Sequence, residues 1–326
     1  MENTGASAPW LFLALFAVAS VLMIWRLEAM SDRGFEGTVL GTLVMPYCSG
    51  IGNLILAFLL GRSPDASGGA EVMTNSLVNN VTNMTLILGV PAIIWGIRVK
   101  PERKPRSKGG GKVHELNRLS LLLTLLAVLF FTGAVWALAH DGRLDRNDGL
   151  VLVGIFLFWQ CFHVFDVLKS NVRQNKSFGW TLPLDLVLLA VGAYGVYLSI
   201  DWLVTWLKHQ PPGGFISAKY LGWLSGWVMV LPNGLLALYY GWRGRPEITY
   251  TSQVGDGHIC IPLCVGIYAL YSTLVVPVFF QTGVLVLLGA TLLHFLCVAV
   301  FGQLPRLMGF ALVAGYGWFV YRALPR

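Results

Sequence analysis

Ten apolar runs, each long enough to cross a lipid bilayer, constrain this 326-residue chain more than any other feature. A helix needs about 20 apolar residues to span the hydrocarbon core, where every backbone polar group must be hydrogen-bonded within the protein. The composition agrees, because 56% of the residues are hydrophobic and only 12% are charged. We therefore predict an all-α polytopic membrane protein of ten transmembrane helices. The runs are residues 9–26, 38–60, 72–97, 119–139, 149–169, 181–207, 219–241, 253–279, 281–301 and 306–323.

Basic residues predict which side of the membrane each loop faces. The one long polar stretch, residues 98–118, carries eight Lys and Arg residues around three glycines. Cytoplasmic loops are enriched in Lys and Arg, so this loop is predicted to be cytoplasmic. We expect a multi-pass protein of the cell membrane (plasma or inner membrane) with both termini outside and the lipid bilayer as its constant partner. Topology explains the charge of the loop, and we expect no nucleic-acid partner.

One segment of the sequence occurs twice and places an asparagine inside an apolar run both times. Residues 52–61 (GNLILAFLLG) align without a gap with residues 232–241 (PNGLLALYYG). The stretches that follow, 74–89 and 251–266, share a polar start, a polar middle and an apolar tail. The two copies lie five helices apart, and since five is odd, the second copy crosses the membrane in the opposite direction.

This arrangement predicts two inverted-topology repeats of five helices each, residues 1–170 and 171–326. Within them the repeated segments cover residues 41–90 and 226–267. The pseudo-two-fold axis of an inverted repeat brings equivalent segments together near the middle of the bilayer, where transporters bind their substrates. Polar residues that meet there are expected to serve a function, because they are costly inside a membrane.

Asparagines form a stripe along the third predicted helix. Asn75, Asn79 and Asn83 are spaced at i, i+4 and i+8, and Ser76 and Asn80 lie on a neighbouring stripe of the same helix. Small polar residues often hydrogen-bond between membrane helices, which is the structural alternative for each of them. Because the cluster lies opposite its own repeat, we favour a hydrated ion pathway.

Asp256 is the one fixed negative charge that we expect in the two repeated motifs. It is flanked by Gly255 and Gly257, which allow a locally opened helix, and it is followed by His258. A buried aspartate can be protonated, so Asp256 is a candidate for exchanging a proton for a cation, with His258 tuning or relaying the proton. Structural pairing of Asp256 with His258 is the alternative.

Taken together, these motifs resemble the two alpha-repeats of the sodium/calcium exchanger superfamily, the cation/calcium antiporters. Each family repeat reads approximately Gly-Thr-Ser-Leu-Pro-Glu, a helix, Gly-x-Pro-Asp, then Gly-Asn-x-x-Gly-Ser-Asn-x-x-Asn. In the second copy, residues 231–233 replace Leu-Pro-Glu, 245–247 replace the turn and 255–257 replace Gly-Ser-Asn. In the first copy, residues 49–53 replace Thr-Ser-Leu-Pro-Glu, and 79–83 replace the final Ser-Asn-x-x-Asn.

The main departure from the family pattern lies at its two glutamates, the chief acidic ligands of calcium and of the counter-ion. Here both positions are asparagine, Asn53 and Asn233. An amide offers one neutral carbonyl oxygen, whereas a carboxylate offers two oxygens and a charge. With Asp256, the two asparagines form the expected site for calcium or sodium, and one charge suits a monovalent cation or a weakly held divalent one. The other expected ion-binding residues are Asn75, Ser76, Asn79, Asn80, Asn83, Ser49, Ser252 and Gln253.

The resemblance implies a secondary cation antiporter that works by alternating access, with sodium, calcium or protons as the transported partners and no cofactor. One alternative is a transporter of the same fold that is proton-coupled or carries a monovalent cation or small solute. Another is a transport-inactive scaffold or sensor. Each of these three functions is compatible with a homo-oligomer. We do not expect an enzyme, because the sequence has no His-Glu-x-x-His, no Gly-x-Ser-x-Gly and no nucleotide-binding loop.

Two further residues are predicted to be structural. His294 is isolated in the ninth run and is expected to be a core histidine, and Cys260 is expected to be a buried thiol.

Overall fold

Helices account for all ten apolar runs in this computed structural model, which confirms the prediction of an all-α polytopic membrane protein. Seven helical segments within the described part of the chain are long and apolar enough to cross a membrane. The predicted run 253–279 was too long, because its helix ends at Tyr271 and a short strand follows. The structure describes residues 8–32, 45–63, 68–98, 110–174, 182–211, 214–243, 250, 253–255, 257 and 259–325.

The helices and strands follow one another in a simple order. In chain order the helices are α1 (Ala8–Asp32), α2 (Met45–Gly61), α3 (Gly69–Trp95), α4 (Gly110–Leu138), α5 (Arg146–Gln174), α6 (Leu182–Lys208), α7 (Leu221–Trp242), α8 (within Gln253–Tyr271), α9 (Phe280–Leu296) and α10 (Arg306–Ala323). The strands are β1 (Ile97–Arg98), β2 (Arg143–Leu144), β3 (Leu274–Val275) and β4 (Gln303–Leu304).

The two halves of the chain repeat the same local features. A π-helical turn, Asn83–Ile87, interrupts α3, and an equivalent one, Cys260–Cys264, interrupts α8, while a third, Cys297–Phe301, follows α9 without a described counterpart. The strands pair across the halves, because β1 is antiparallel to β4 and β2 is antiparallel to β3. Gly142 and Gly302, which precede β2 and β4, both have positive φ angles, of 84° and 64°. These equivalences agree with two inverted repeats, while the exact repeat boundaries at residues 170 and 171 stay a prediction.

Glycines bring helices close together at equivalent places in the two halves. A Cβ atom on Gly309 of α10 would lie 2.8 Å from the carbonyl oxygen of Gly89 on α3. In the other half, a Cβ atom on Gly149 of α5 would lie 2.9 Å from the carbonyl oxygen of Gly266 on α8. Such contacts are typical of membrane helices, whose association depends on close backbone packing.

Another close approach joins α3 to α7 and positions the polar residues. A Cβ atom on Gly222 would lie only 2.6 Å from the backbone oxygen of Glu71 and from Cβ of Thr74. One turn later, a Cβ atom on Gly226 would lie 2.9 Å from the side chain of Val78. Helix α3 is therefore surrounded by protein, and every residue from 72 to 85 is buried.

A buried ion pair joins α1 to α6, which pack against each other along their lengths. Nη1 of Arg26 lies 3.5 Å from Oδ1 of Asp185, and both side chains are almost completely buried. The guanidinium also lies over the ring of Trp25, with its Cζ 3.3 Å from the ring centroid. The charges of the pair are thus matched within the protein.

Replacing Gly222 with alanine should destabilise the protein. The added methyl group has no room between α3 and α7, and such overpacking costs about 1–3 kcal/mol of unfolding free energy. Gly133→Ala is the matched control, because a Cβ atom at helical Gly133 of α4 meets no atom within 4 Å. The measurement is the thermal unfolding midpoint of each variant in detergent. Equal midpoints for the two variants would contradict the close α3–α7 contact.

Candidate cation site

The predicted amide stripe of α3 lies inside the protein and does not face lipid. Asn75, Ser76, Asn79, Asn80 and Asn83 each expose 2% of their surface or less. Their burial follows from the position of α3, which packs against α2, α7, α9 and α10. Five polar side chains in the middle of a membrane protein must therefore find partners within it.

Some of these partners are neighbours on α3 itself. Nδ2 of Asn83 donates a hydrogen bond of 3.0 Å to Oδ1 of Asn79. Nδ2 of Asn80 donates to the backbone oxygen of Ser76 at 2.7 Å. Both bonds run along the helix at the i, i+4 spacing from which the two stripes were predicted. Some polar atoms of the stripe therefore have a structural role, because they form hydrogen bonds within α3.

A serine that we did not predict links α3 to α7. Nδ2 of Asn75 donates to Oγ of Ser225 at 3.0 Å and lies 3.4 Å from Sδ of Met229. Ser225, Met229 and Asn233 are spaced at i, i+4 and i+8, so they share one face of α7. That spacing was the available signal, since Ser225 lies two turns before the repeated asparagine.

Asn53 and Asn233 are both buried, each with 1% of its surface exposed. Neither amide atom of Asn53 has a hydrogen-bond partner among the residues that the structure describes. The backbone oxygen of Asn233 accepts a hydrogen bond of 3.2 Å from Nε2 of Gln253. Leaving a buried polar group unsatisfied costs about 1–3 kcal/mol, so the amide of Asn53 is well suited to bind a ligand.

Three further polar atoms on α3 are buried and unsatisfied within the described ranges, namely Oγ of Ser76, Nδ2 of Asn79 and Oδ1 of Asn80. The last of these lies beside α8, because a Cβ atom on Gly257 would be 3.3 Å from it. The two oxygens among them, Oγ of Ser76 and Oδ1 of Asn80, are neutral ligands of the kind that hard cations such as sodium and calcium bind. Across the residues described here, no three His, Cys, Asp or Glu side chains form a metal-binding group.

Four predicted site residues lie outside the described residues or have side chains that are not described. These are the side chain of Ser49 and the residues Ser252, Asp256 and His258. Their ion-binding and proton-linked roles stay predictions. Of the described candidates, the structure brings the α3 residues into contact with α7, and it places Gln253 against Asn233.

The two π-helical turns place a thiol opposite an amide in the internal symmetry. The first turn begins at Asn83 and the second at Cys260, which is fully buried as predicted. A Cβ atom on Gly50 of α2 would lie 3.8 Å from Sγ of Cys260. Such turns often occur at functional sites, and Asn83 belongs to the candidate site through its hydrogen bond to Asn79.

His294 of α9 is a buried histidine, as predicted, and it has two partners that were not foreseen. Its Nε2 lies 2.7 Å from the backbone oxygen of Met84, and its Nδ1 is hydrogen-bonded to the hydroxyl of Tyr250. In a regular α-helix the amide of Leu88 would bond to Met84, but here it bonds to Thr85. A carbonyl can only accept, so Nε2 carries the hydrogen, and the neutral imidazole accepts from Tyr250 at Nδ1. His294 thus ties the first π-helical turn to the second repeat.

Residues 8–165 match the family model described as sodium/calcium exchanger protein. No curated protein matches the sequence significantly.

Solved structures of the sodium-calcium exchanger NCX_Mj share the fold over the full chain. One, soaked with 2.5 mM Na⁺ and 10 mM Sr²⁺, is 20% identical and covers 100% of both chains with a TM-score of 0.69. Another, soaked with 2.5 mM Na⁺ and 0.1 mM Ca²⁺, is 21% identical over 100% of both chains, with a TM-score of 0.67. A third, soaked without Na⁺ and Ca²⁺, is 20% identical over 99% of both chains, with a TM-score of 0.68.

Replacing His294 with leucine should destabilise the protein by about 1–3 kcal/mol, because the buried oxygen of Met84 and the hydroxyl of Tyr250 lose their partner. His140→Leu is the control, since His140 is exposed, and it should change the unfolding free energy by less than about 0.5 kcal/mol. Thermal unfolding in detergent, followed by tryptophan fluorescence, measures both. If the two variants unfold alike, the His294 contacts do not stabilise the π-helical turn.

Proposed function

We propose that this chain is a secondary active transporter that exchanges cations across the cell membrane, because residues 8–165 match the sodium/calcium exchanger family model. The observation that carries the proposal is the amide of Asn53, which is buried beside the repeat helices with both of its polar atoms unsatisfied in the described structure. A cation that is bound by the carbonyl oxygen would offset the cost of burying it. We expect no cofactor other than the transported ions.

The charge of the site favours cations that carry one charge. Calcium normally takes six to eight oxygen ligands, and its affinity rises with the number of charged ligands. Here Asn53 and Asn233 supply neutral oxygens, and Asp256 is the one carboxylate predicted in the two motifs. We therefore propose that sodium is the first candidate for the bound ion, that calcium binds weakly, and that Asp256 can take up a proton in exchange.

The packing of α1 and α6 supports alternating access. A small cavity lies between these two helices and the site, lined by Phe16, Ser20, Ile24, Ile51, Gly52, Val196, Pro232 and Asn233. Since α1 and α6 cover this side of Asn233, a movement of the pair would open or close a route to the site. We propose that this pair moves against the other eight helices, with both termini outside and the loop 98–118 cytoplasmic.

The missing carboxylates also favour a second candidate, a proton-coupled or small-solute transporter of the same fold. Asn53 and Asn233 can donate as well as accept hydrogen bonds, so they could bind a neutral polar solute. The two candidates are separated by sodium dependence. Flux that needs a sodium gradient supports the cation antiporter, and flux that follows only a pH gradient supports the alternative.

Replacing Asn53 or Asn233 with alanine should lower cation flux by about tenfold or more. The reason is that the loss of one ligand bond worth about 1.4 kcal/mol lowers the affinity for the cation about tenfold. The measurement uses purified protein in liposomes with an outward sodium gradient, following calcium uptake, and a parallel pH gradient. Asn147→Ala is the control, since Asn147 is exposed on α5. Full flux in both site variants, with normal folding, would show that the cation binds elsewhere in the protein. If the wild type itself carried no ion under either gradient, the result would favour a transport-inactive scaffold.

Restoring both family carboxylates in the double variant Asn53→Glu, Asn233→Glu should raise calcium affinity by about tenfold or more, because divalent affinity depends on ligand charge. Calcium binding to the purified protein is measured by isothermal titration calorimetry. Asn147→Glu controls for added negative charge on an exposed helix. An unchanged calcium affinity in the folded double variant would show that the two positions do not share one site.

A further inference from the structure

We propose that Glu71 is a cation-recruiting residue, a carboxylate at one end of the amide stripe that draws hard cations toward the site. The inference rests on the proposed cation transport and adds a charged residue that neither the repeated motifs nor the family resemblance contains. The ligand class is a hydrated monovalent or divalent metal cation.

Glu71 continues the amide stripe toward the start of α3. Glu71, Asn75, Asn79 and Asn83 are spaced at i, i+4, i+8 and i+12, so the carboxylate lies one turn before the first amide on the same face. Glu71 is partly buried, whereas the three asparagines are fully buried. The stripe therefore begins with a charged residue near the end of the helix and continues as neutral amides into the protein.

The contacts of α7 follow the same order along the stripe. Oε2 of Glu71 accepts a hydrogen bond of 2.6 Å from the backbone amide of Gly222. One turn further, the side chain of Asn75 bonds to Ser225 and lies against Met229. Glu71 is thus held at the boundary between α3 and α7, where these two helices of the candidate site meet.

The carboxyl group of Glu71 has no cationic partner within the described structure. No Lys, Arg or His side chain forms an ion pair with it there, whereas Asp185 and Asp141 each pair with an arginine. A carboxylate has about four lone-pair sites, and the bond from Gly222 uses one of them. Within a membrane-spanning helix such a carboxylate is rare, and it usually marks an ion pathway.

A second observation points to a ligand along this path. Oγ of Ser76 and Oδ1 of Asn80, on the neighbouring stripe of α3, are oxygens of side chains that are at least 98% buried, and neither atom has a described partner. A cation that leaves Glu71 therefore meets neutral oxygens that the protein itself does not satisfy. Charge at the rim with neutral ligands inside raises the local cation concentration without trapping the ion.

The exact counterpart of Glu71 in the other copy is not a carboxylate. When Thr74 is aligned with Thr251, Glu71 aligns with the apolar Ile248, and Glu247 lies one residue earlier. The predicted topology places the start of α3, and with it Glu71, at the outer side of the membrane.

The test is cation transport by Glu71→Gln in proteoliposomes. Glutamine keeps an oxygen that can accept from Gly222, so the variant removes the charge and keeps the bond. We expect the KM for the external cation to rise about tenfold at low ionic strength with an unchanged maximal rate, and the difference to shrink as salt screens the charge. Asp201→Asn is the matched control, because Asp201 is a partly exposed carboxylate on α6, and its KM should stay that of the wild type.

The outcomes separate this inference from the proposed function. Wild-type transport with an unchanged KM in Glu71→Gln would overturn the role of Glu71 and leave the transporter intact. A fall in maximal rate at constant KM would also overturn it, since that is the result of a structural role. Glu71→Asp keeps the charge and should keep the wild-type KM, and a tenfold rise there would contradict recruitment by charge. If the wild type transports nothing, calorimetric titration of sodium and of calcium decides, and equal affinities in wild type and Glu71→Gln overturn the inference.

Discussion

The close contact between α3 and α7 is the constraint on which the candidate site depends. Gly222 and Gly226 leave no side chain between the two helices, so the backbones approach closely enough for side chains of α3 to reach α7. Asn75 then meets Ser225, and Glu71 meets the amide of Gly222. In a membrane this packing replaces the hydrophobic effect as the source of helix association, because lipid is as apolar as the helix surface. The glycines of α7 therefore allow the polar contacts between α3 and α7 to form.

The internal symmetry is clear in the backbone and broken in the side chains. His294 and Tyr250 join the π-helical turn of α3 by hydrogen bonds. At the equivalent place in the other half, Met73 takes the position of Tyr250 and Ile261 that of Met84, and both line a small apolar cavity. One π-helical turn is thus held by polar contacts, and the other is packed against apolar side chains. The two halves can therefore differ in rigidity although their folds correspond.

Much of the fold could be predicted because the bilayer restricts what apolar runs can do. The packing of the two final glycines of the repeated segment, Gly61 against Tyr271 and Gly241 against Trp95, was not predicted. The burial of the asparagine stripe followed from its spacing on α3. The π-helical turns were not predicted, although Pro262 in the second one removes a helical hydrogen bond and was a local signal in the sequence. Partners from distant segments, such as Ser225 for Asn75, become visible only when the helices are packed.

The buried ion pair between Arg26 and Asp185 has a consequence for the motion of α1 and α6. Separating the two charges inside the protein would leave each without its partner, which costs about 3–5 kcal/mol when a buried pair is broken. Sliding of one helix past the other would break the ion pair and incur that cost. Movement of both helices together would leave the pair intact. The ion pair is therefore expected to couple α1 and α6 mechanically, so that the two helices move as one rigid body.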